Sequence, residues 1–146
     1  MDATNLTQPD LYINRELSLL EFNQRVLAQA RDPDTPLLER LKFLCIASTN
    51  LDEFFEIRVA GVKQRLESGS VQAGPDNYSP AEVMNSISSR AHQLVEEQYH
   101  VLNEELIPAL EEQKIRFLRR TQWDEKQSAW MREFFDHELL PVLSPL

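Results

Sequence analysis

Residues able to support nucleophilic or phosphate-binding chemistry are sparse in this sequence. Its one cysteine, Cys45, lies in the apolar run FLCIA with no histidine close by, and buried thiols in such surroundings are usually inert packing groups. Gly69 and Gly74 lack the lysine and the serine or threonine that complete a glycine-rich phosphate loop. These motifs therefore predict no catalytic residue in the chain.

A metal site is the next candidate, because Glu97 and His100 have the Glu-x-x-His spacing found in di-iron helical bundles. Such a site needs a second Glu-x-x-His pair from another helix, and Glu133 and His137 are instead four residues apart. With a single cysteine, the chain also lacks the cysteine pair of a zinc site. The glutamates around His100 are better interpreted as a solvated acidic face, and we predict no metal site.

A polar triplet followed by two aromatic residues marks residues 48–61, STNLDEFFEIRVAG. Ser, Thr and Asn prefer helix ends to helix interiors, so we expect a break or tight turn here and a new helix from residue 51. Phe54 and Phe55 differ by about 100° around that helix, so both cannot face one core, and one is expected to line an interface or a ligand. Gly61 within a helix costs about 1 kcal/mol relative to alanine, which favours a close helix–helix crossing at that point.

The elements that position this segment are predicted to be helices. The capping-box spacing of Ser18 and Glu21 predicts that a first helix begins at Ser18. Thr35 followed by Pro36 predicts the start of a second helix. Because FLCIA is apolar on every side, we expect that part of the second helix to be buried all round.

A loop at residues 68–79 contains two glycines and a proline, and Ser79 followed by Pro80 then opens the longest predicted helix. Its apolar spacing continues to about residue 113, a length of roughly 50 Å at 1.5 Å per residue, with Pro108 as a predicted kink. One helix of that length needs partners along it. We therefore predict an all-α fold, an antiparallel helical bundle with one long helix.

The pattern changes after residue 113. The run IRFLRR at residues 115–120 predicts a short strand, residues 121–140 predict one more amphipathic helix, and the sequence finishes on the apolar run PVLSPL. We predict residues 1–113 as an amino-terminal helical domain and residues 114–146 as the beginning of a next domain that is truncated.

Charge and composition narrow the partners. A net charge of −9 argues against nucleic acid, whose phosphates require a basic face, and against electrostatic attachment to anionic lipid. No apolar run reaches membrane-spanning length, and the start MDATNLTQPD lacks a signal-peptide pattern. One cysteine cannot form an internal disulfide. We expect a cytoplasmic protein, with peripheral membrane attachment and homo-oligomer formation left open.

Two long motifs carry a family resemblance. The run YINRELSLLEFN at residues 12–23 resembles the opening motif of bacterial polyphosphate kinases. The runs PLLERLKFL at residues 36–44 and STNLDEFFEIR at residues 48–58 resemble the next block of that family. Their order and spacing match across about residues 11–68, whereas the later helices and the ending LLPVLSPL fit more loosely.

The resemblance implies an ATP-dependent kinase that reversibly moves the terminal phosphate of ATP onto a polyphosphate chain. Such kinases work through a phosphohistidine, with Mg²⁺ and arginines holding the phosphates, and charge neutralisation and alignment supply most of the catalysis. In the family these positions lie beyond residue 146. His92, His100 and His137 do not match the phosphorylated histidine, so the resemblance implies that this chain alone is inactive.

The resemblance also implies that this helical domain covers the adenine of ATP, and Asn50 matches the family's adenine-contacting asparagine. An amide suits that role because it offers a donor and an acceptor to a base edge. From propensity alone, Asn50 would instead cap the helix that begins at residue 51, and both roles can coexist. The rival from another class is a purely structural or dimerising helical module without a ligand of its own.

Overall fold

The structure is a computed structural model that describes residues 7–143. Four continuous helical stretches make up most of this range, and no strand occurs in it. The first stretch is α1 (Arg15–Arg31), and the second joins α2 (Leu37–Glu53), a π-helical turn (Phe54–Val59) and α3 (Ala60–Glu67). The third joins α4 (Pro80–His100), a π-helical turn (Val101–Leu106) and α5 (Ile107–Glu112), and the fourth joins α6 (Glu125–Phe134) and a π-helical turn (Phe135–Leu139). Short 3₁₀ turns occupy Pro9–Leu11, Arg120–Gln122 and Leu140–Val142.

The first three stretches form an up-down-up bundle, which confirms the predicted antiparallel all-α architecture. Along α1, the hydrogen-bonded partners in the second stretch have decreasing residue numbers: Glu16 bonds with Arg58, Asn23 with Ala47, and Ala30 with Arg40. Along α1, the partners in α4 and its π-helical turn have increasing residue numbers: Glu21 bonds with Arg90, Gln24 with Glu97, and Arg31 with Glu105. The middle stretch therefore runs antiparallel to both of its neighbours.

The core of the bundle is a single apolar cluster to which all three stretches contribute. Leu20 and Leu27 of α1, Leu51 of α2 and Ile87 and Leu94 of α4 are all at least nine-tenths buried. Their spacing is the helical one, so each stretch turns one stripe inward. The run FLCIA follows the same rule: Leu44 and Ala47 are buried, while Cys45 and Ile46 are exposed. The expectation that this run is buried all round is wrong, because each helix of a three-helix bundle keeps one face outside.

Helix ends only partly follow the predicted capping positions. The predicted opening of the long helix by Ser79 and Pro80 is confirmed at the start of α4, where Ser79 and Glu82 form a capping box. However, α1 begins at Arg15, where the Asn14 side chain accepts from the amides of Glu16 and Leu17, so the predicted start at Ser18 is wrong. The cap at Asn14, four residues before Ser18, satisfies the free amides of the first turn and leaves Ser18 inside the helix. Likewise, α2 begins at Leu37 after Pro36, with no side-chain cap.

The predicted break at residues 48–50 is absent, because the chain stays helical from Leu37 to Glu67. Asn50 lies inside α2 and does not cap a helix, so that interpretation is wrong. Tertiary contacts override the weak preference of Ser, Thr and Asn for helix ends. The irregularity comes a few residues later, as the π-helical turn at Phe54–Val59.

The long helix is confirmed as a continuous helical stretch from Pro80 to Glu112, ending within one residue of the predicted end. It remains helical through Pro108, which cannot donate an amide to the carbonyl of Glu104. A π-helical turn at Val101–Leu106 lies just before that proline, and wider turns of this kind accommodate a missing hydrogen bond. After the helix ends at Glu112, Lys114 has a left-handed φ of 64°, and the Ile115 amide donates to the Leu110 carbonyl.

The predicted strand at residues 115–120 is wrong, because that segment has no regular structure before the 3₁₀ turn at Arg120–Gln122. A strand needs a partner to complete its hydrogen-bond ladder, and residues 7–143 supply none. The predicted amphipathic helix after it is confirmed as α6, with Asp124 and Gln127 forming a capping box at its start. The predicted domains, residues 1–113 and 114–146, extend beyond the described residues 7–143 at both ends, and the boundary between them stays a prediction.

Candidate functional site

A pocket of about 240 Å³ lies between α1 and the junction of α2 with the π-helical turn at Phe54–Val59. Its floor is buried and its rim carries exposed apolar side chains, with Phe22 51% and Ile57 59% exposed. The pocket is thus a mostly apolar slot that opens to the surface, with a few polar groups inside it. The lining residues are Leu19, Leu20, Phe22, Asn23, Asn50, Leu51, Glu53, Phe54, Ile57 and Arg58.

Asn50 lines this pocket and is joined to Asn23 on the facing helix. The Asn50 Nδ2 donates to Asn23 Oδ1 at 3.2 Å, and the Asn23 Nδ2 donates to the Ala47 carbonyl at 2.8 Å. Asn23 is 4% exposed, whereas Asn50 is partly exposed. Sequence reasoning singled out Asn50 and missed Asn23. A signal was present, since Asn23 interrupts the apolar stripe between Leu20 and Leu27 at helical spacing.

A buried carboxylate fixes the Arg58 side of the pocket. Glu16 is 3% exposed and accepts two hydrogen bonds from Arg58, at 2.9 Å from Nε and 3.2 Å from Nη2. Arg15 donates a third bond to it at 3.1 Å. This bidentate pair ties the start of α1 to the π turn and holds the Arg58 guanidinium in place. Neither residue was singled out in the sequence.

Phe54 and Phe55 divide as predicted, since Phe54 is 6% exposed and lines the pocket while Phe55 is 42% exposed. Their rings meet edge to face at a centroid distance of 5.9 Å. The helix–helix crossing predicted at Gly61 is wrong. A Cβ built on Gly61 has nothing within 4 Å, so this glycine faces open space.

The acidic run on the long helix has partners. Arg31 of α1 binds Glu97 and Glu105, each at 3.1 Å, and Arg40 lies 3.4 Å from Glu105. Glu97 and Glu105 therefore join helices through arginines, so the acidic run is not solely the solvated face that the sequence predicts. No group of three His, Cys, Asp or Glu side chains within residues 7–143 could hold a metal ion.

Arg90 adds a further link between α4 and α1. Its guanidinium donates to both carboxylate oxygens of Glu21 and to the side-chain oxygen of Gln24. The hydrogen bond from Arg90 holds the pKa of Glu21 below its usual value, and the same bond raises the pKa of Arg90. The side chain of Glu21 is 52% exposed and that of Arg90 is 24% exposed, so solvent screens the pair, which orients α4 against α1 and adds little stability.

Comparison with known proteins places the chain in context. The Polyphosphate kinase N-terminal domain family matches residues 12–118. Among curated proteins, a polyphosphate kinase of Pseudomonas syringae pv. tomato is 51% identical over 99% of this chain and 20% of its own length. A polyphosphate kinase of Pseudomonas aeruginosa is 52% identical over 93% of this chain and 20% of its own length. The chain thus spans about a fifth of the length of these relatives.

A solved structure agrees in fold. The crystal structure of polyphosphate kinase from Porphyromonas gingivalis superposes with a TM-score of 0.74 at 31% identity, covering 92% of this chain and 19% of that one. Within residues 7–143, no helix combines the length and apolar character needed to cross a bilayer.

Proposed function

The chain belongs to the polyphosphate kinase family as its amino-terminal domain, and on that premise we propose that it serves an enzyme that reversibly transfers the terminal phosphate of ATP to inorganic polyphosphate. Within that enzyme the domain covers the adenine of ATP and supports the remaining domains. Support for the activity comes from the family match over residues 12–118 and from relatives that carry that name.

The observation that carries the adenine role is the Asn50 pocket. A purine is a flat apolar ring with hydrogen-bonding groups on its edge, and the pocket offers exposed apolar side chains at its rim with an amide beside them. Drug-sized ligands occupy sites of about 300–1,000 Å³. A pocket of about 240 Å³ suits one base better than a whole nucleotide, so the phosphates extend away towards the rest of the enzyme.

We assign the Mg²⁺ and the phosphorylated histidine to the remaining domains, as the family resemblance implies. The glutamates that come nearest to a metal-binding arrangement here, Glu97 and Glu105, are held by Arg31 and Arg40. A carboxylate already neutralised by an arginine is a poor ligand for a hard cation, which favours carboxylate oxygens that are free to coordinate it.

Asn50→Ala in the full-length enzyme tests the adenine role. Two polar contacts to a base edge contribute about 1–3 kcal/mol, so the KM for ATP should rise about 5- to 100-fold, since 1.4 kcal/mol corresponds to a factor of ten. Turnover at saturating ATP should fall much less, because uniform binding is lost. Steady-state kinetics with polyphosphate as acceptor measures both constants.

Thr49→Ala is the matched control, because Thr49 is the exposed neighbour of Asn50 on the same helix. We expect its KM for ATP to remain at the wild-type value. If Asn50→Ala also leaves the KM for ATP unchanged while lowering thermal stability, then Asn50 serves only to join α2 to Asn23, and the domain is a structural module without a ligand of its own.

A further inference from the structure

We propose that Asn23 is a positioning residue that sets which end of the Asn50 amide faces the pocket, and that it thereby selects purines with an amino group at position 6. This inference rests on the proposed adenine role of Asn50. It adds a residue that determines specificity through its hydrogen bond to Asn50.

The Ala47 carbonyl sets the orientation of the Asn23 amide. A carbonyl oxygen can only accept, so the Asn23 side-chain atom 2.8 Å from it must be the nitrogen Nδ2. Asn23 is 96% buried, so water cannot substitute for this partner and a flipped amide would face the carbonyl with an oxygen. The orientation of the Asn23 amide is therefore fixed by the backbone of α2.

The fixed Asn23 amide in turn sets the orientation of the Asn50 amide. With its nitrogen committed to Ala47, Asn23 presents Oδ1 to Asn50, and that oxygen accepts from the Asn50 Nδ2 at 3.2 Å. A flipped Asn50 would place two oxygens against each other, an arrangement that no proton can bridge. The Asn50 nitrogen is therefore held on the Asn23 side, and its Oδ1 is the acceptor left for the pocket.

A hydrogen-bond acceptor in the pocket favours a base with a donor at the matching position. Adenine carries an amino group at position 6 beside an acceptor nitrogen, the pattern with which asparagine pairs, whereas hypoxanthine and guanine carry a carbonyl oxygen at that position. A carbonyl facing the Asn50 Oδ1 would leave both oxygens unpaired. A good asparagine–adenine pair discriminates by about 5- to 100-fold, so we expect this preference for ATP over ITP.

The test compares ATP with ITP, which differ at position 6 of the base, in the full-length enzyme. Asn23→Leu keeps a side chain of similar size and removes both hydrogen bonds, so Asn50 is released. We expect the ATP/ITP ratio of kcat/KM to fall at least about fivefold, through KM and with little change in kcat. Asn23→Ser, which has no amide to link the Ala47 carbonyl with Asn50, should lower the ratio as well and serves if the leucine variant does not fold.

Two further variants separate the outcomes. Gln24→Ala removes the neighbouring α1 link to Glu97, which lies outside the pocket, and should leave the ratio unchanged. In an Asn50→Ala background, Asn23→Leu should lower the ratio no further, because Asn23 acts through Asn50.

Other results would contradict either the positioning role of Asn23 or the adenine role of Asn50. If Asn50→Ala lowers the ratio but Asn23→Leu lowers only thermal stability or kcat, the positioning role of Asn23 is wrong and the adenine role of Asn50 stands. If Asn50→Ala changes neither the ratio nor the KM for ATP, the proposed adenine role itself is wrong, and the inference about Asn23 is lost with it.

Discussion

Two polar side chains, Glu16 and Asn23, lie among the buried residues of the described range, and both come from α1. Each is matched by a partner on the second stretch, Arg58 for Glu16 and the Ala47 carbonyl for Asn23. Buried polar groups without partners are costly, so these bonds specify how α1 docks on the second stretch. They also hold two of the polar residues that line the pocket, Asn50 and Arg58.

Gly61→Ala should stabilise the domain. Gly61 is helical and a Cβ there meets open space, so the change removes a backbone entropy cost of about 0.5–1 kcal/mol without overpacking. Urea unfolding monitored by circular dichroism measures the change. Gly69→Ala is the contrasting variant, because Gly69 has a φ of +73°; it should destabilise by about 1–2 kcal/mol. A lower urea midpoint for Gly61→Ala than for the wild-type domain would indicate a close contact at that position and contradict the prediction.

Removing one member of the buried ion pair should reveal an asymmetry. Arg58→Met leaves the carboxylate of Glu16 buried with Arg15 alone, and we expect a loss of about 2–4 kcal/mol. Glu16→Met leaves Arg58, whose side chain is 31% exposed, free to turn to water, so we expect a loss of about 1–2 kcal/mol. Urea midpoints compare the two, and equal losses would contradict this account.

The double variant and a surface pair complete that experiment. Changing Glu16 and Arg58 together to methionine should cost less than the sum of the single changes, because no buried charge is left unpaired. Lys42→Met breaks an exposed pair with Glu39 and should change stability by less than about 0.5 kcal/mol.

At the scale of elements, the three π-helical turns occupy distinct contexts. Those at Val101–Leu106 and Phe135–Leu139 come just before Pro108 and Pro141, where a proline withholds an amide from the helix. The turn at Phe54–Val59 has no proline after it and instead carries three residues of the pocket. Wide turns of this kind often occur at functional sites, so this one supports the proposed role of the pocket.

The start of α4 gives a prediction at the same scale. Ser79→Ala removes the side-chain acceptor from the capping box and should cost about 1 kcal/mol. Bonds from the Ser79 hydroxyl and amide hold the pKa of Glu82 below its usual value, so its part of the box is present near neutral pH and is lost as pH falls through that lowered pKa. Thermal unfolding measures the loss, with the exposed mid-helix variant Ser89→Ala expected to be neutral or slightly stabilising. Equal effects of the two variants would contradict the capping role.

For the whole molecule, the surface around α6 is the least covered part of the described structure. No residue of α6 is buried, and Trp130 and Phe134 stack on each other at 5.3 Å while remaining 59% and 37% exposed. Contiguous apolar side chains on a surface indicate a contact site. We propose that the remaining domains of the enzyme cover this face.

The 146-residue chain alone should neither transfer phosphate to polyphosphate nor become phosphorylated on histidine. The family resemblance implies that the phosphorylated histidine lies outside residues 1–146, so we expect none of the three histidines, His92, His100 and His137, to carry the phosphate. Incubation with ATP labelled on its terminal phosphate, with the full-length enzyme as positive control, measures both activities. Acid-labile label on His92, His100 or His137 would contradict the prediction.

The sequence by itself determined the helical class, the long helix opened by Ser79 and Pro80, and Asn50 as the residue to test, because hydrophobic period, capping chemistry and motif order are local properties. The tertiary structure decided the rest. The break at residues 48–50 and the strand at residues 115–120 failed because packing overrides weak propensity and a strand needs a partner. The environment of Gly61 and the relay from Ala47 through Asn23 to Asn50 depend on which faces of different helices meet. The packing of those faces depends on burying the apolar stripes of all three helical stretches together, and no local sequence pattern encodes it.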